Sequence, residues 1–377
     1  MAEAIPEKII VEQFSIINNP GTKSQTVDDI WNLTAGLYIY ENIFSENMYG
    51  WVRIIDANNL YSNLPINKDS YLVIKLRCPT TKKVVYGYYK VYQVANIKQE
   101  VESVQSYTIH FVSVEMFNCA RMRVSGKILG DFSSKISEYH KMFSKKPLNI
   151  EKVAGRKTIY LPNISPAEAI KLLSENMKYK GTIPDYIYWE TFDSYNCKSI
   201  TECMLSSNIH NIQTDYTMYY PITESQGYNE LIRIKNIMVK KDFNSLQNLY
   251  KGYDGGIVVE HDPLTGITNT TPVGEEYFSN YFTYSNTTFD YVSLYKRKQL
   301  FKSLANTYYY VTVPGLLTRR SGDICDVNIQ TKGEKPLKNR NLSGHRLICG
   351  IAHCIDNLGN YQQNLTLGDY FSKTTEA

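Results

Sequence analysis

At 377 residues the chain is too long for one ordinary core, so two or three domains are expected. Hydrophobic content of 43% beside 21% charged residues excludes wholesale disorder. A net charge of +4 over this length is mild and neither demands nor excludes a nucleic-acid partner. The 32 tyrosines and 13 phenylalanines favour strands, because aromatic rings fit a pleated, half-buried surface; an AT-rich genome would also enrich Tyr and Asn. Met1 to Pro6 carries neither a basic region nor an apolar stretch, so no signal peptide is expected. No apolar run approaches the roughly 18–20 residues of a membrane helix, and no membrane anchor is expected. The seven cysteines are odd in number and lack CxxC spacing, which fits free, buried thiols in a reducing cytoplasm.

Taken in chain order, residues 1–118 read almost wholly as strands. Trp51 to Asp56, Tyr71 to Leu76, Val84 to Ile97 and Tyr107 to Phe117 are the candidates, with a polar turn around Glu100 to Ser103. Alternation in Thr108 to Val114 implies one covered face and one wetter face. The character changes over 119–215. Ser165-Pro166-Ala167-Glu168 is a capping box with Pro at the first helical position, and Ala169, Ile170, Leu173 and Met177 share one stripe. Ser199 to Glu202 marks a second, weaker helix start. This region is expected to be a helix-containing insertion domain.

From Tyr219 onward strands return. Glu230 to Val239 alternates as an amphipathic strand, Asn244 to Gln247 caps a short helix, and Ile257 to Glu260 is a strand running into the turn Asp262 to Gly266. Tyr291 to Ala305 is a helix with Leu294, Phe301 and Leu304 on its buried side. Short β-type runs follow, namely Val311 to Val313, Arg319 to Ile324, His345 to His353 and Asn364 to Leu367, separated by Pro-Gly, Ser-Gly-Asp and Asn-Leu-Gly-Asn turns. Lys90 to Ile97, a turn, then Tyr107 to Val114 has the layout of Arg346 to Ile355, a turn, then Gln363 to Leu367. This echo predicts two related barrels: 1–118, and 216–245 joined with 306–371. The remainder of the chain is an insertion at 246–305 in the second barrel and a polar tail at 372–377.

Several stretches resemble the central baseplate hub proteins of contractile-tailed, T-even-like bacteriophages. Val313-Pro314-Gly315 leading into Gly322-Asp323-Ile324, with His353 on a long hairpin, resembles the C-terminal barrel of that family. Asn47 to Leu60 resembles its first-barrel hairpin, and Ile183-Pro184-Asp185 followed by Tyr188 to Phe192 resembles its helical insertion. Asp242 to Tyr253 and His261 to Thr265 resemble a stretch of other tail hubs. The resemblance implies a mainly β fold with α+β insertions and two similar antiparallel, tail-tube-like β-barrels. It implies a structural homotrimer that joins a hexameric tail tube or tube-initiator protein to a trimeric central spike protein. Such a hub forms part of the DNA conduit during genome ejection, with passing DNA bound without specificity and the tape-measure protein a further neighbour. The implied place is the virion tail baseplate, after synthesis and assembly in the host cytoplasm. Alternatives are a receptor- or carbohydrate-binding tail protein, suggested by the many Tyr and Asn side chains, or a tail-associated hydrolase.

His345, Cys349 and His353 share strand parity and form the best metal-ligand pattern, yet ligands along one strand diverge by ~6.6 Å per two residues. Packing is the expected role and no metal or cofactor is assigned. The carboxylates Asp254, Glu260, Asp262 and Asp323 suit caps and solvated turns better than an acid/base pair, so no enzyme activity is assigned. Two basic clusters, Lys296-Arg297-Lys298 and Arg319-Arg320, are the interface or channel candidates. No P-loop or GxGxxG is present.

Overall fold

The computed structural model describes residues 8–21, 26–57, 61, 66–101, 104–151, 153, 158–180, 182–205, 209–213, 233–241, 255–261, 265–274, 280–284, 291–305, 307–329, 339 and 342–369. Seven strands come first: β1 (Ile10–Asn18), β2 (Thr26–Asp29), β3 (Thr34–Asn42), β4 (Tyr49–Asp56), β5 (Tyr71–Arg77), β6 (Val84–Val101) and β7 (Val104–Ser113). They pair in the order β3-β4-β7-β6-β5-β1-β2. Period-two alternation decides the faces: Leu37 and Ile39 of β3 are buried, as are Val52 and Ile54 of β4, whereas Tyr38, Tyr40 and Tyr49 point the other way. Phe14, Ile74, Val91, Ile109 and Phe111 complete one core, so non-neighbouring strands meet across it. Fully burying each such side chain contributes about 1.5–3 kcal/mol.

A helix-containing unit follows: α1 (Val114–Ala120), β8 (Val124–Ile128), α2 (Phe132–Phe143), β9 (Leu148–Ile150), β10 (Ile159–Ile164), α3 (Pro166–Glu175), β11 (Tyr186–Glu190), β12 (Tyr195–Ser199) and α4 (Ile200–Met204). The strand expected over Tyr107 to Phe117 stops at Ser113, and Val114 to Phe117 are helical. There the chain turns to bring Ser113 Oγ 2.5 Å from Glu115 Oε2 and 3.0 Å from Glu190 Oε1, a buried polar cluster that a continuing strand would split. Helix α3 begins at the capping box read from the sequence: Ser165 Oγ accepts from Glu168 N, and Glu168 reaches back to Ser165 N at 2.8 Å. Its buried face, Ala169, Ile170 and Leu173, packs with Ile136 of α2 and Tyr195 of β12 in a second core.

The remaining elements are β13 (Ile209–Gln213), β14 (Asn236–Lys241), β15 (Gly255–His261), β16 (Thr268–Gly274), β17 (Asn280–Tyr284), α5 (Tyr291–Ala305), β18 (Thr307–Pro314), β19 (Ile324–Asn328), β20 (Gly344–Asp356) and β21 (Tyr361–Gly368). Strands β15 to β17 form a small separate sheet. The others pair in the order β14-β18-β21-β20-β19-β13 around a third core that includes Val311, Val327, Ile351 and Leu365. Strand β13 lies within the stretch read from sequence as the insertion domain, but it pairs in parallel with β19 and so belongs to this second sheet. The stretch Asn244 to Gln247, the acids Asp254 and Asp262, and the tail 372–377 lie outside the described residues.

The fold is therefore mainly β with α+β insertions, and its two large halves are similar. Strands β3-β4-β7-β6-β5-β1 of the first half have the spatial and chain order of β14-β18-β21-β20-β19-β13 in the second. The match extends to register. β5 meets β6 from the pair Tyr71–Lys90, β19 meets β20 from Ile324–Leu347, and each long strand carries a bulge just beyond, at Val91/Gln93 and Ile348/Gly350. Lys90 thus corresponds to Leu347, one residue from the alignment that the sequence echo suggests. One pairing differs: β1 is antiparallel to β5, whereas β13 is parallel to β19. The halves join edge to middle, because residues 36–42 of β3 pair antiparallel with residues 350–356 of β20. Among the described residues neither half closes on itself; each wraps its inner face round a core and leaves a rim open. All seven cysteines are buried and none is in a disulfide. No described helix is long and apolar enough to cross a membrane.

Candidate functional site: the buried polar seam

The two halves and the helical unit meet where the inner face of β3 reaches the loop between β18 and β19. Glu41 occupies an inward position of β3 that strand parity would give to an apolar residue, and it is 1% exposed. Its carboxylate accepts from the backbone N–H of Phe192 (3.3 Å) and of Ser321 (3.2 Å), and lies 3.6 Å from His353 Nε2 on β20. Burial alone would raise the Glu41 pKa, but His353, Arg320 and the Ser321 amide outweigh it and hold the carboxyl below its ordinary value. His353 Nδ1 lies 2.7 Å from the Tyr361 hydroxyl, and its ring packs edge-on against Phe192 at 4.9 Å. A carboxylate, an imidazole and two backbone amides therefore meet in the seam, each buried polar group facing another.

Around this centre the loop from Gly315 to Asp323 is fixed at several points. Arg319 is 1% exposed and donates to Pro314 O (2.7 Å) and Gln363 Oε1 (3.1 Å). Arg320 grips Asp193 Oδ2 through Nη2 at 2.6 Å and Nε at 3.2 Å, and Lys83 Nζ approaches the same oxygen at 3.0 Å. Burial would raise the Asp193 pKa, and those two cations reverse the shift. Trp189 of β11 donates through Nε1 to Ser321 O at 3.1 Å. Gly322 sits beneath that indole with φ of +92°, and a Cβ there would stand 2.6 Å from Trp189 Cζ2. Gly315 is similarly confined, since a Cβ would overlap the Tyr361 ring at 2.1 Å. Asp323 accepts from Arg320 N and lies 3.0 Å from His210 Nε2 on β13. A second clamp surrounds Glu190, which accepts from Met48 N (2.8 Å) and is paired with Lys146. Its complete burial pushes its pKa up despite the lysine.

The five basic candidates separate in the structure. Lys296 and Lys298 are exposed on α5, whereas Arg297 between them is buried, donates to Pro184 O (3.2 Å) and lies 4.3 Å over the Phe301 ring. Burial lowers the Arg297 pKa to about 10. Arg319 is interior and Arg320 is half-buried against Asp193, so neither basic pair presents two free cations side by side. Helix α5 and α3 instead wall a cleft of about 380 Å³ that Phe44, Arg297 and Phe301 line. The His345, Cys349 and His353 pattern does not converge: His345 is exposed near Asp326 (3.8 Å), Cys349 packs beside Gly368, and His353 is in the seam. The bulge at Ile348/Gly350 breaks the shared parity. Of the carboxylates, Glu260 is on the small sheet and Asp323 in the seam. The arrangement can fasten three units together; its charged groups are spent on one another. Sequence reasoning singled out His353, Arg319 and Arg320 but missed Glu41, Glu190 and Asp193. The one available signal was a Glu at an inward position of an otherwise apolar strand.

No protein-family model matches this chain, and no curated protein matches it. Solved structures do. A tail protein of Neisseria meningitidis MC58 aligns over 95% of this chain and 97% of its own, with 8% identity and a TM-score of 0.59. The 43 kDa tail protein of prophage MuSo2 from Shewanella oneidensis aligns over 94% and 97%, with 10% identity and a TM-score of 0.58. In a Francisella PdpA–VgrG complex, a chain of which 54% is covered aligns over 100% of this one, with 11% identity and a TM-score of 0.51. At these identities the likeness is one of fold, and it spans nearly the whole molecule.

Proposed function

We propose that this protein is a structural hub of a contractile phage tail, a trimeric adaptor between a hexameric tail tube and a trimeric central spike. The observation that carries the reading is the repetition: one chain holds two six-strand halves with one strand order and matching register. Three such chains present six similar units on one side while keeping three-fold symmetry on the other, which is what a junction between six and three requires. Two whole-chain likenesses in fold to tail proteins, one of them from a prophage, support the assignment. The charged groups of the seam suit a rigid, load-transmitting part better than a catalyst, because they are paired with one another: Asp193 with Arg320 and Lys83, Glu41 beside His353, and Glu190 with Lys146. In this role the protein sits in the virion baseplate, contacts spike and tube, and lets DNA pass without binding it tightly. Lys296 and Lys298 are its candidate interface or channel cations.

Light scattering of the purified protein, alone and mixed with the spike protein, tests this. A mass near three times the 43.4 kDa chain under either condition is expected. A stable monomer in both would overturn the reading. One observation favours the alternative of carbohydrate binding: Tyr38 and Trp51 stack at 3.9 Å on the outer face of the first sheet, a platform of the kind sugars use. Binding of cell-surface glycans by the isolated chain would favour it.

A further inference from the structure

At the end of β7 the hydrogens available for bonding come out one short. Ser113 Oγ stands between two carboxyl groups, 2.5 Å from Glu115 Oε2 and 3.0 Å from Glu190 Oε1. Both acids are buried. A hydroxyl has a single hydrogen to donate. With both acids ionised, that hydrogen serves one of them, and the other contact sets lone pairs of like charge against each other. The neighbouring donors are spent elsewhere: Met48 N donates to Glu190 Oε2 at 2.8 Å, and Lys146 Nζ to Glu190 Oε1. The Tyr195 hydroxyl of β12 donates to Asn47 Oδ1 at 3.1 Å. His140 of α2 lies 3.0 Å from the Tyr188 hydroxyl and 2.8 Å from Lys146 O, and burial lowers its pKa, so it brings no charge. The Tyr89 hydroxyl of β6 is buried with no hydrogen-bond partner among the described residues; burial, with Glu190, Glu41 and Glu115 nearby, pushes its pKa well up, so it stays neutral too. One lysine therefore faces two carboxyl groups.

We propose that Glu115 and Glu190 hold one proton between them through Ser113, and that this proton pins the first half to the helical unit. The relay closes in either sense: one carboxyl donates to Ser113 Oγ, and Ser113 donates to the other. Ser113 ends β7 and Met48 precedes β4 in the first half, whereas Glu115 is in the first turn of α1 and Glu190 ends β11. The bonds of this cluster thus cross the joint. Loss of the proton leaves two buried carboxylates repelling each other across one hydroxyl, and the pair titrates as a unit. The direction follows from Glu190, whose pKa burial raises. Its stabilisation is full below the ordinary value of 4.5 and is lost as pH rises through the raised one. The seam at Glu41 runs the other way, because its carboxyl is held down. Acid therefore weakens the joint between the halves, and base weakens the joint to the helical unit.

Glu115→Gln tests this, because a carboxamide N–H replaces the shared proton and cannot titrate. In the native protein, amide hydrogen exchange over 113–120, corrected for the intrinsic effect of pH, should speed up by about tenfold or more between about pH 5 and about pH 8. In the variant it should keep the slow rate throughout. Glu202 on α4, which burial and Glu151 raise to about 7, titrates in the same window. Glu202→Gln should therefore leave the native response at 113–120 in place, and this second variant keeps the test decisive should Glu115→Gln fail to fold. Native exchange that is flat over the window, a Glu115→Gln protein that follows the native pH dependence, or a response abolished by Glu202→Gln would each overturn the shared proton. None of these outcomes bears on the adaptor reading, which the mass measurement decides.

Discussion

Glu41 shows how much one side chain carries. Its carboxylate satisfies two backbone amides from two different units and faces His353, so its removal leaves several buried polar groups unpaired. Glu41→Ala should cost about 3–5 kcal/mol, read as a lower midpoint in urea at pH 7. The sign with pH follows from its depressed pKa. The stabilisation is present above the ordinary value of 4.5 and is lost as pH falls through the lower folded value. Melting temperature of the native chain should therefore fall on acidification below 4.5, and the Ala variant should show a shallower fall across the same window. Gly322 gives a second test. Its positive φ and the indole above it leave no room for a methyl, so Gly322→Ala should destabilise by about 1–3 kcal/mol. A thermal melt unchanged within about 1 °C would refute that account. At this scale the sequence was a poor guide: Arg297 and Arg319 look like surface cations, and only tertiary context reveals that carbonyls and a buried glutamine hold them.

At the scale of elements, local chemistry was legible and long-range chemistry was not. The capping box at Ser165 needs nothing beyond four residues, and the structure has it. Ser165→Ala should lower stability by about 1 kcal/mol, measurable by urea titration, while Ser165→Thr should lose much less. The turns at Gly315 and Gly322 and the long hairpin strands were likewise readable. The switch from strand to helix at Val114 was not, because the alternation of Thr108 to Val114 runs straight across it and a glutamate on the far-off β11 sets the turn. Strand β13 escaped notice for a similar reason. Five residues with a parallel partner more than a hundred positions away leave no periodic mark of their own.

Across the whole molecule, the repetition was visible in the sequence as two hairpins of one layout, displaced by one residue from their true correspondence. Unequal irregularity explains why alignment by eye slips: β6 shifts register against β7 at Val91/Gln93, Ala95/Lys98 and Gln99/Val101, whereas β20 does so against β21 only at Ile348/Gly350. What sequence could not convey is that the halves share a single continuous sheet through β3 and β20. The trimer mass is the measurement that belongs to this level, since no smaller piece of the protein contains both halves.

The β3–β20 pairing also has a consequence for how the protein is made. Strand β3 is ready to pair once the first hundred or so residues have emerged from the ribosome, but its partner, residues 350–356, is synthesised near the end. At roughly 5–20 residues per second, about 250 residues of delay leave that edge open for roughly 12–50 s. Nascent chains on one messenger would expose the same bare edge side by side during that interval. Premature termination before residue 350 would make the exposure permanent. Truncated products should therefore collect in inclusion bodies even though their first core is complete, and expression at low temperature should not rescue them.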